Sequence, residues 1–364
     1  MRRVVIKLGS SIVAEDTGEL RGEVLARICD AVTELHRSGD EVVMVSSGAI
    51  ARGMRVLELK ARPSAIDELQ AASAVGQGKL YRVYDELLRE RAVTSAQVLL
   101  TIGDLSARTH YLNARQTLRK LLDWQVVAVV NENDTTATDE ISFGDNDFLA
   151  AQVAMLVGAD LLVLLTNTDG LYSADPRLDS AASLIEEVSD FGALEELEIG
   201  HTTSALGSGG MRSKVVAADM ATAAGVEAVI CNGLRGGALE TVLGGGREGT
   251  RFAARERGHS SFKLWLKYAK PAHGTLVIDA GAARALREGN ASLLPVGVVS
   301  VEGEFDAGDA VEIVGAARET IAKGVCNYSA EELRRAIGMK TEAVRGILPH
   351  ATDEAVHRDY LVVG

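Results

Sequence analysis

The chain has 364 residues, 47% hydrophobic and 24% charged, the balance of an ordinary soluble globular protein long enough for two domains. Its 38 Lys and Arg against 51 Asp and Glu give a net charge of −13, which repels nucleic-acid phosphates and anionic lipid and requires any site for an acidic substrate to be locally basic. Cys29, Cys231 and Cys326 stand far apart, with no CxxC and no histidine at ligand spacing, which argues against a zinc site and a disulfide framework.

The N-terminus, MRRVVIKLGSS, runs straight into a strand and lacks the apolar stretch and cleavage site of a secretion signal. The expectation is a cytoplasmic protein with no membrane span. Short apolar runs then read as buried parallel strands: Val4–Leu8, Val42–Ser46, Val98–Thr101, Val126–Val130, Leu161–Thr166 and Ala228–Cys231. Between them, Leu25, Ile28, Cys29, Val32 and Leu35 mark one helical stripe, closed by Gly39, with Cys29 a core thiol. Ser64 and Asp67 form a capping-box signature, and Leu80, Val83, Tyr84, Leu87 and Leu88 continue at helical spacing. Strand-then-helix repetition predicts a mainly parallel sheet with helices on both faces, whose ligands sit at the carboxyl ends of the strands.

This α/β domain is expected over residues 1–250. Gly244, Gly245, Gly246 and Gly249 suggest a flexible exit, and residues 251–270, with six basic residues against the single acid Glu256, read as a linker or interface strip. Residues 271–364 are β-rich, with Thr275–Ile278, Val296–Val301, Ala310–Val314 and Tyr360–Val363 as strands and helical pieces at Ala282–Arg287 and Ala330–Ile337. They predict a small barrel-like second domain.

Five loops carry the candidate chemistry. Lys7 lies inside an apolar strand and is followed by Gly9; it is either an edge-strand lysine reaching water or a charge awaiting an anion. This first loop is neither GxGxxG nor GxxxxGK[ST], which speaks against a dinucleotide fold and a P-loop. Ser46-Ser47-Gly48 offers uncharged donors or a simple turn. Asn131-Glu132-Asn133-Asp134 and Gly144-Asp145-Asn146-Asp147 are a solvated acidic loop or a cation site, and Asn146 and Asp147 suit a helix N-cap. Thr166-Asn167-Thr168-Asp169-Gly170 follows the most apolar strand. Ser208-Gly209-Gly210-Met211-Arg212-Ser213-Lys214 opens a helix; its glycines and lysine favour a phosphate cradle over a flexible loop.

The runs IKLGSS, VSSGAI, QAASAVGQG, NENDTTATDEISFGDND, TNTDGLYSADPR and GSGGMRSK, in that order, resemble the amino acid kinase family, and within it the glutamate 5-kinase branch. GTLVIDAGAARAL, LLPVGVVSVEGEFDAGDAVEI and GVCNYSAEELR resemble a PUA domain. Aspartokinases instead append ACT domains, and acetylglutamate and carbamate kinases are similar only in the first domain. The resemblance implies a three-layer α/β/α kinase fold with a mainly parallel central sheet, followed by a β-barrel-like PUA domain. It implies phosphorylation of the γ-carboxylate of L-glutamate by ATP with Mg²⁺, the first step of proline biosynthesis.

By the same resemblance, Lys7, Asp147 and Lys214 are catalytic, the lysines on the transferring phosphoryl group and Asp147 holding both. Ser47, Asp134 and Asn146 bind glutamate, with Asp134 on its ammonium group. Lys7, Thr166, Asn167, Ser208, Gly209, Gly210, Met211, Arg212, Ser213 and Lys214 line the ATP site, Asn167 departing from the Asp common in the family. No resident metal ligand is assigned. Also implied are inhibition by proline, with Ser64–Lys79 either part of that response or an ordinary cap, a dimer or tetramer, and coupling to glutamate-5-semialdehyde dehydrogenase. RNA, which PUA domains elsewhere bind, is not expected as a partner, because residues 271–364 carry 9 Lys and Arg against 14 Asp and Glu.

Overall fold

The computed structural model describes residues 1–15, 17–101, 104–105, 108–136, 146–176, 178–179, 181–189, 210–255, 263, 266, 272–289, 291–348 and 352–363. The chain forms two compact units, Met1–Gly258 and His259–Gly364. Among the described residues no helix is long and apolar enough to cross a membrane.

The first unit has strands β1 (Arg3–Leu8), β2 (Glu41–Val45), β3 (Ser95–Leu100), β4 (Val127–Glu132), β5 (Leu161–Thr166), β6 (Glu187–Val188), β7 (Glu227–Asn232) and β8 (Thr250–Phe252). Its helices are α1 (Ser10–Val13), α2 (Gly22–Arg37), α3 (Ala49–Val56), α4 (Ile66–Glu90), α5 (Arg108–Asp123), α6 (Asn146–Val157), α7 (Met211–Ala223) and α8 (Ala238–Leu243). The sheet order is β3-β4-β2-β1-β5-β7-β8-β6, parallel except where β8 runs antiparallel to β7. The chain moves outward from β1 first to one side and later to the other. This puts the topological switch point at β1 and β5, where open α/β sheets bind ligands.

Strand alternation sorts the core. Val4, Ile6 and Leu8 of β1 join Val42, Met44, Val163 and Leu165 in one cluster, covered by Leu25, Ile28, Cys29 and Val32 of α2 and by Leu80, Tyr84 and Leu88 of α4. Lys7 points to the opposite face, where α6 lies. Helix α6 is buried almost all round, as its apolar sequence requires of an inner helix. Cys29 is a core thiol, and burial pushes it up to about 12.

Several local readings change. Strand β3 begins at Ser95 and is half-exposed, with Leu100 its one buried residue, because it is an edge strand paired only with β4. The Ser64–Asp67 capping box does not form: Ala65 holds the cap position of α4 with extended backbone and no side-chain cap bond. Asp67 instead lies in the first turn, where its charge suits the helix dipole, and accepts the Glu68 N–H over 3.0 Å. Asn146 and Asp147 are the first two residues inside α6 rather than its cap. The glycine-rich stretch after α8 is not a flexible exit, since Thr250–Phe252 pairs with β7 as β8. Gly249 makes that turn possible: its φ is +75°, and a Cβ there would lie 2.1 Å from the Ile230 oxygen. Two residues of the basic strip are tied into this unit, Arg251 by an ion pair with Glu227 and Arg255 by one with Asp219.

The second unit has strands β9 (Ala272–Ile278), β10 (Val298–Gly303), β11 (Ala310–Val314), β12 (Thr320–Cys326) and β13 (Val356–Val363), in the order β10-β9-β11-β12-β13. Helices α9 (Ala280–Gly289), α10 (Ala330–Ala336) and α11 (Thr341–Ile347) accompany them. Strands β9 and β11 are parallel, and the other pairs are antiparallel. Leu276, Ile278, Ile313, Ile321, Tyr328 and Leu333 build the core. Ser329 and Glu332 form a true capping box that starts α10. Strand β12 and helix α11 add to the elements expected from the sequence.

Candidate active site

Lys7 sits on a central strand between β2 and β5, so the edge-strand reading fails. Its Nζ lies 2.6 Å from Asp147 Oδ1, while Lys214 Nζ lies 2.9 Å from Asp147 Oδ2. Relative exposures of 2%, 0% and 6% for Lys7, Asp147 and Lys214 place these ion pairs in the interior. There, removing one partner of a pair typically costs about 3–5 kcal/mol, against about 0–1 at the surface. Asp147 occupies the first turn of α6, where the helix dipole favours a negative charge. Lys214 occupies the first turn of α7, where the dipole disfavours a cation unless anions are near. The trio itself carries one net positive charge, beside a helix N-terminus whose cap is Gly210. Ser213 Oγ is 2.8 Å from the Gly210 oxygen and 3.2 Å from Asp147 Oδ2. This combination suits a polyanion.

A second polar group lies at the ends of β2 and β4. Asn146 Nδ2 donates to the Ser46 carbonyl and, over 2.6 Å, to Asn131 Oδ1. Asn131 Oδ1 also accepts the Glu132 N–H, and Asn131 Nδ2 donates to Gln77 Oε1 over 2.6 Å. Ser73 Oγ donates to Asp134 Oδ2 over 2.6 Å. Burial raises the Asp134 carboxyl, while the Ser73 hydrogen bond and the Arg62 charge pull it back down. Burial lowers the Arg62 guanidinium, partly offset by Asp134. Ser46 Oγ meets the fully buried Tyr84 hydroxyl at 2.9 Å, and Ser47 beside it is buried. Asp134 is a carboxylate with one oxygen taken by the Ser73 hydroxyl, and such a group can accept from an ammonium group.

Thr166 ends β5 at the same sheet edge as Gly9, whose N–H donates to the Leu165 carbonyl. Asn167 beyond it is exposed, and Asp169 is held by Asn232 at 2.9 Å and by Arg235 at 3.6 Å. Met211 is half-buried and Arg212 exposed at the start of α7. Ser208 and Gly209 lie outside the described residues, as do Gly144 and Asp145.

Of the expected residues, Lys7, Asp147, Lys214 and Ser213 meet in one cluster, and Asn146 joins it to Ser46 and Asn131 through its position next to Asp147. Ser73, Gln77 and Arg62 have no place in the site expected from the sequence, and Asn131, though part of a candidate loop, has no role of its own there. A signal existed for two of them: Ser73 and Gln77 are polar residues four apart in QAASAVGQG, and therefore share one face of a helix.

The amino acid kinase family matches residues 2–232, and the PUA domain matches residues 274–348. The chain is 46% identical over 362 residues to a glutamate 5-kinase of Synechococcus sp. (strain JA-2-3B'a(2-13)), covering 99% of this chain and 98% of that one. It is 42% identical to a glutamate 5-kinase of Thermoanaerobacter sp. (strain X514), covering 99% and 97%. A glutamate 5-kinase of Pseudomonas putida (strain W619) is 45% identical, with 100% and 98% covered. The chain belongs to the amino acid kinase family, in its glutamate 5-kinase branch, with a PUA domain after the kinase domain.

Proposed function

We propose that the chain transfers the γ-phosphoryl group of ATP to the γ-carboxylate of L-glutamate, giving L-glutamyl 5-phosphate at the start of proline biosynthesis. The observation that carries this reading is the pair of buried lysines, Lys7 and Lys214, sharing Asp147 at the switch point of the sheet. The nucleophile has a pKa of ~4.3 and is ionised at neutral pH, so no general base is required. The barrier lies in bringing an anion to a polyanion, and it is lowered by positioning and fixed positive charge.

Lys7 and Lys214 neutralise the transferring phosphoryl group, and Asp147 is a positioning residue that fixes both ammonium groups. Ser47, Asp134 and Asn146 bind glutamate, and Asp134 takes its ammonium group. Thr166, Asn167, Gly210, Met211, Arg212 and Ser213, with Ser208 and Gly209, line the nucleotide site. An asparagine at 167 keeps a hydrogen-bonding group there without the charge of an aspartate.

Both oxygens of Asp147 engage lysines, and among the described residues no group of three or more His, Cys, Asp or Glu is placed to hold a metal. Mg²⁺ would come with the nucleotide, as MgATP, and would add its charge to that of Lys7 and Lys214 in neutralising the phosphates. The product is an acyl phosphate that water destroys, which favours handing it on to glutamate-5-semialdehyde dehydrogenase. Inhibition by proline, a dimeric or tetrameric assembly and a cytoplasmic location complete the reading.

Incubation with MgATP, L-glutamate and hydroxylamine tests it. Hydroxamate from L-glutamate, with little from aspartate or N-acetylglutamate, is the expected result. No hydroxamate from any of the three acids would overturn the assignment.

A further inference from the structure

The polar chain Gln77–Asn131–Asn146 is pinned at both ends by backbone groups that cannot reverse their polarity. The Glu132 N–H points at one side-chain atom of Asn131 over 3.0 Å, so that atom is the oxygen, Oδ1. The Ser46 carbonyl receives one side-chain atom of Asn146, so that atom is the nitrogen, Nδ2. Asn146 Nδ2 then gives its second hydrogen to Asn131 Oδ1 over 2.6 Å. A reversed amide at either residue would face donor to donor or acceptor to acceptor. With both hydrogens of Asn146 committed inside the protein, Oδ1 is the atom of its amide left to face a ligand. That atom is an acceptor, and the Asn146 side chain is buried with little freedom to turn.

Asn131 must in turn place its own Nδ2 hydrogens. Gln77 Oε1 accepts from that nitrogen over 2.6 Å, reaching from α4 to a residue 54 positions along the chain. Ser73 stands one turn before Gln77 on the same helix and donates to Asp134 over 2.6 Å. One face of α4 therefore addresses both groups at the end of β4.

We propose that Gln77 is a positioning residue for substrate recognition: by holding Asn131 it turns Asn146 Oδ1 toward the substrate, where it and Asp134 together accept hydrogen bonds from an α-ammonium group. The inference rests on glutamate being the acceptor, and it assigns the ammonium group to a pair of acceptors rather than to Asp134 alone. An acid without that ammonium group, or with it acylated, would leave both acceptors unmatched.

The test compares wild type, Q77M and Q77E in the hydroxamate assay, with L-glutamate and with glutarate, which lacks the ammonium group. Q77M loses the acceptor oxygen and should raise the glutamate KM about tenfold, leave the ATP KM within about twofold, and shrink the preference for glutamate over glutarate by the same tenfold factor. Q77E keeps an acceptor oxygen and should recover most of the loss. Glutamate and ATP constants rising together, an unchanged preference for glutamate, or Q77E as impaired as Q77M would overturn the proposal. If Q77M does not fold, Q77E decides alone, because loss of its glutamate preference contradicts the proposal and retention supports it. Wild type that makes no hydroxamate from glutamate removes instead the reading on which the proposal rests, so the two failures are told apart before any variant is measured.

Discussion

Ser73, in the middle of α4, donates its hydroxyl to Asp134 on the loop after β4 over 2.6 Å. Burial raises the Asp134 carboxyl, and this bond is the first of two influences opposing that rise. Ammonium binding requires the ionised form, so the glutamate KM should rise as pH falls through the Asp134 pKa. Ser73→Ala removes an opposing influence and moves that pKa up. The acid limb of a kcat/KM profile for glutamate should therefore shift to higher pH in S73A, with the ATP profile unmoved. A limb that stays in place would separate Asp134 from glutamate binding.

Helices α3 and α4 touch through glycine. A Cβ on Gly53 would lie 1.7 Å from the Ala72 oxygen, and one on Gly76 would lie 1.9 Å from the Ala49 oxygen. Helix α3 begins directly after Ser47-Gly48, and α4 carries Ser73 and Gln77. Gly53→Ala or Gly76→Ala must push the helices apart, at about 1–3 kcal/mol or more. Thermal melts should show a lower Tm for each, and the surviving folded enzyme a raised glutamate KM.

Tyr84 is fully buried, and its hydroxyl meets Ser46 Oγ at 2.9 Å. Burial raises its phenol well above the ordinary range, with the Ser46 bond opposing the rise. Tyr84→Phe keeps the packing and removes one buried hydrogen bond, so denaturant unfolding should report a loss of about 0.5–1.5 kcal/mol.

Lys214 shares Asp147 with Lys7. Lys214→Ala should lower kcat by about 10²- to 10³-fold while the glutamate KM stays within about threefold, as expected for a charge used mainly in the transition state. Comparable losses in both constants would assign Lys214 to ground-state binding.

Most of the parallel sheet could be read from the apolar runs, because strands buried on both faces leave an unbroken apolar record, as VVI and LLVLL do here. Lys7 could be suspected from cost alone, since a lysine in such a run needs an anion. Its partner could not be found this way, because Asp147 lies 140 positions along the chain in an acidic loop, and only the resemblance pairs the two. The capping-box pattern at Ser64 and Asp67 misled, because it does not say where the helix begins, and the backbone at Ala65 is still extended. Strand β8 is three residues long, too short for periodicity to show. Strand β12 was obscured by Lys323 and Gly324 within its run. Gln77 was visible as a residue and invisible as a contact, since its partner Asn131 is brought to it only when α4 packs over β4.

The central claim is that a glutamate carboxylate oxygen attacks the γ-phosphorus. L-glutamate labelled with oxygen-18 in the γ-carboxylate, incubated with MgATP and hydroxylamine, tests it through the phosphate released, read by its phosphorus NMR isotope shift. Attack by the carboxylate predicts that each phosphate formed with hydroxamate carries one labelled oxygen, because hydroxylamine displaces phosphate at the acyl carbon and leaves the bridging oxygen on phosphorus. Unlabelled phosphate would mean that water, not glutamate, accepts the phosphoryl group, and would contradict the account.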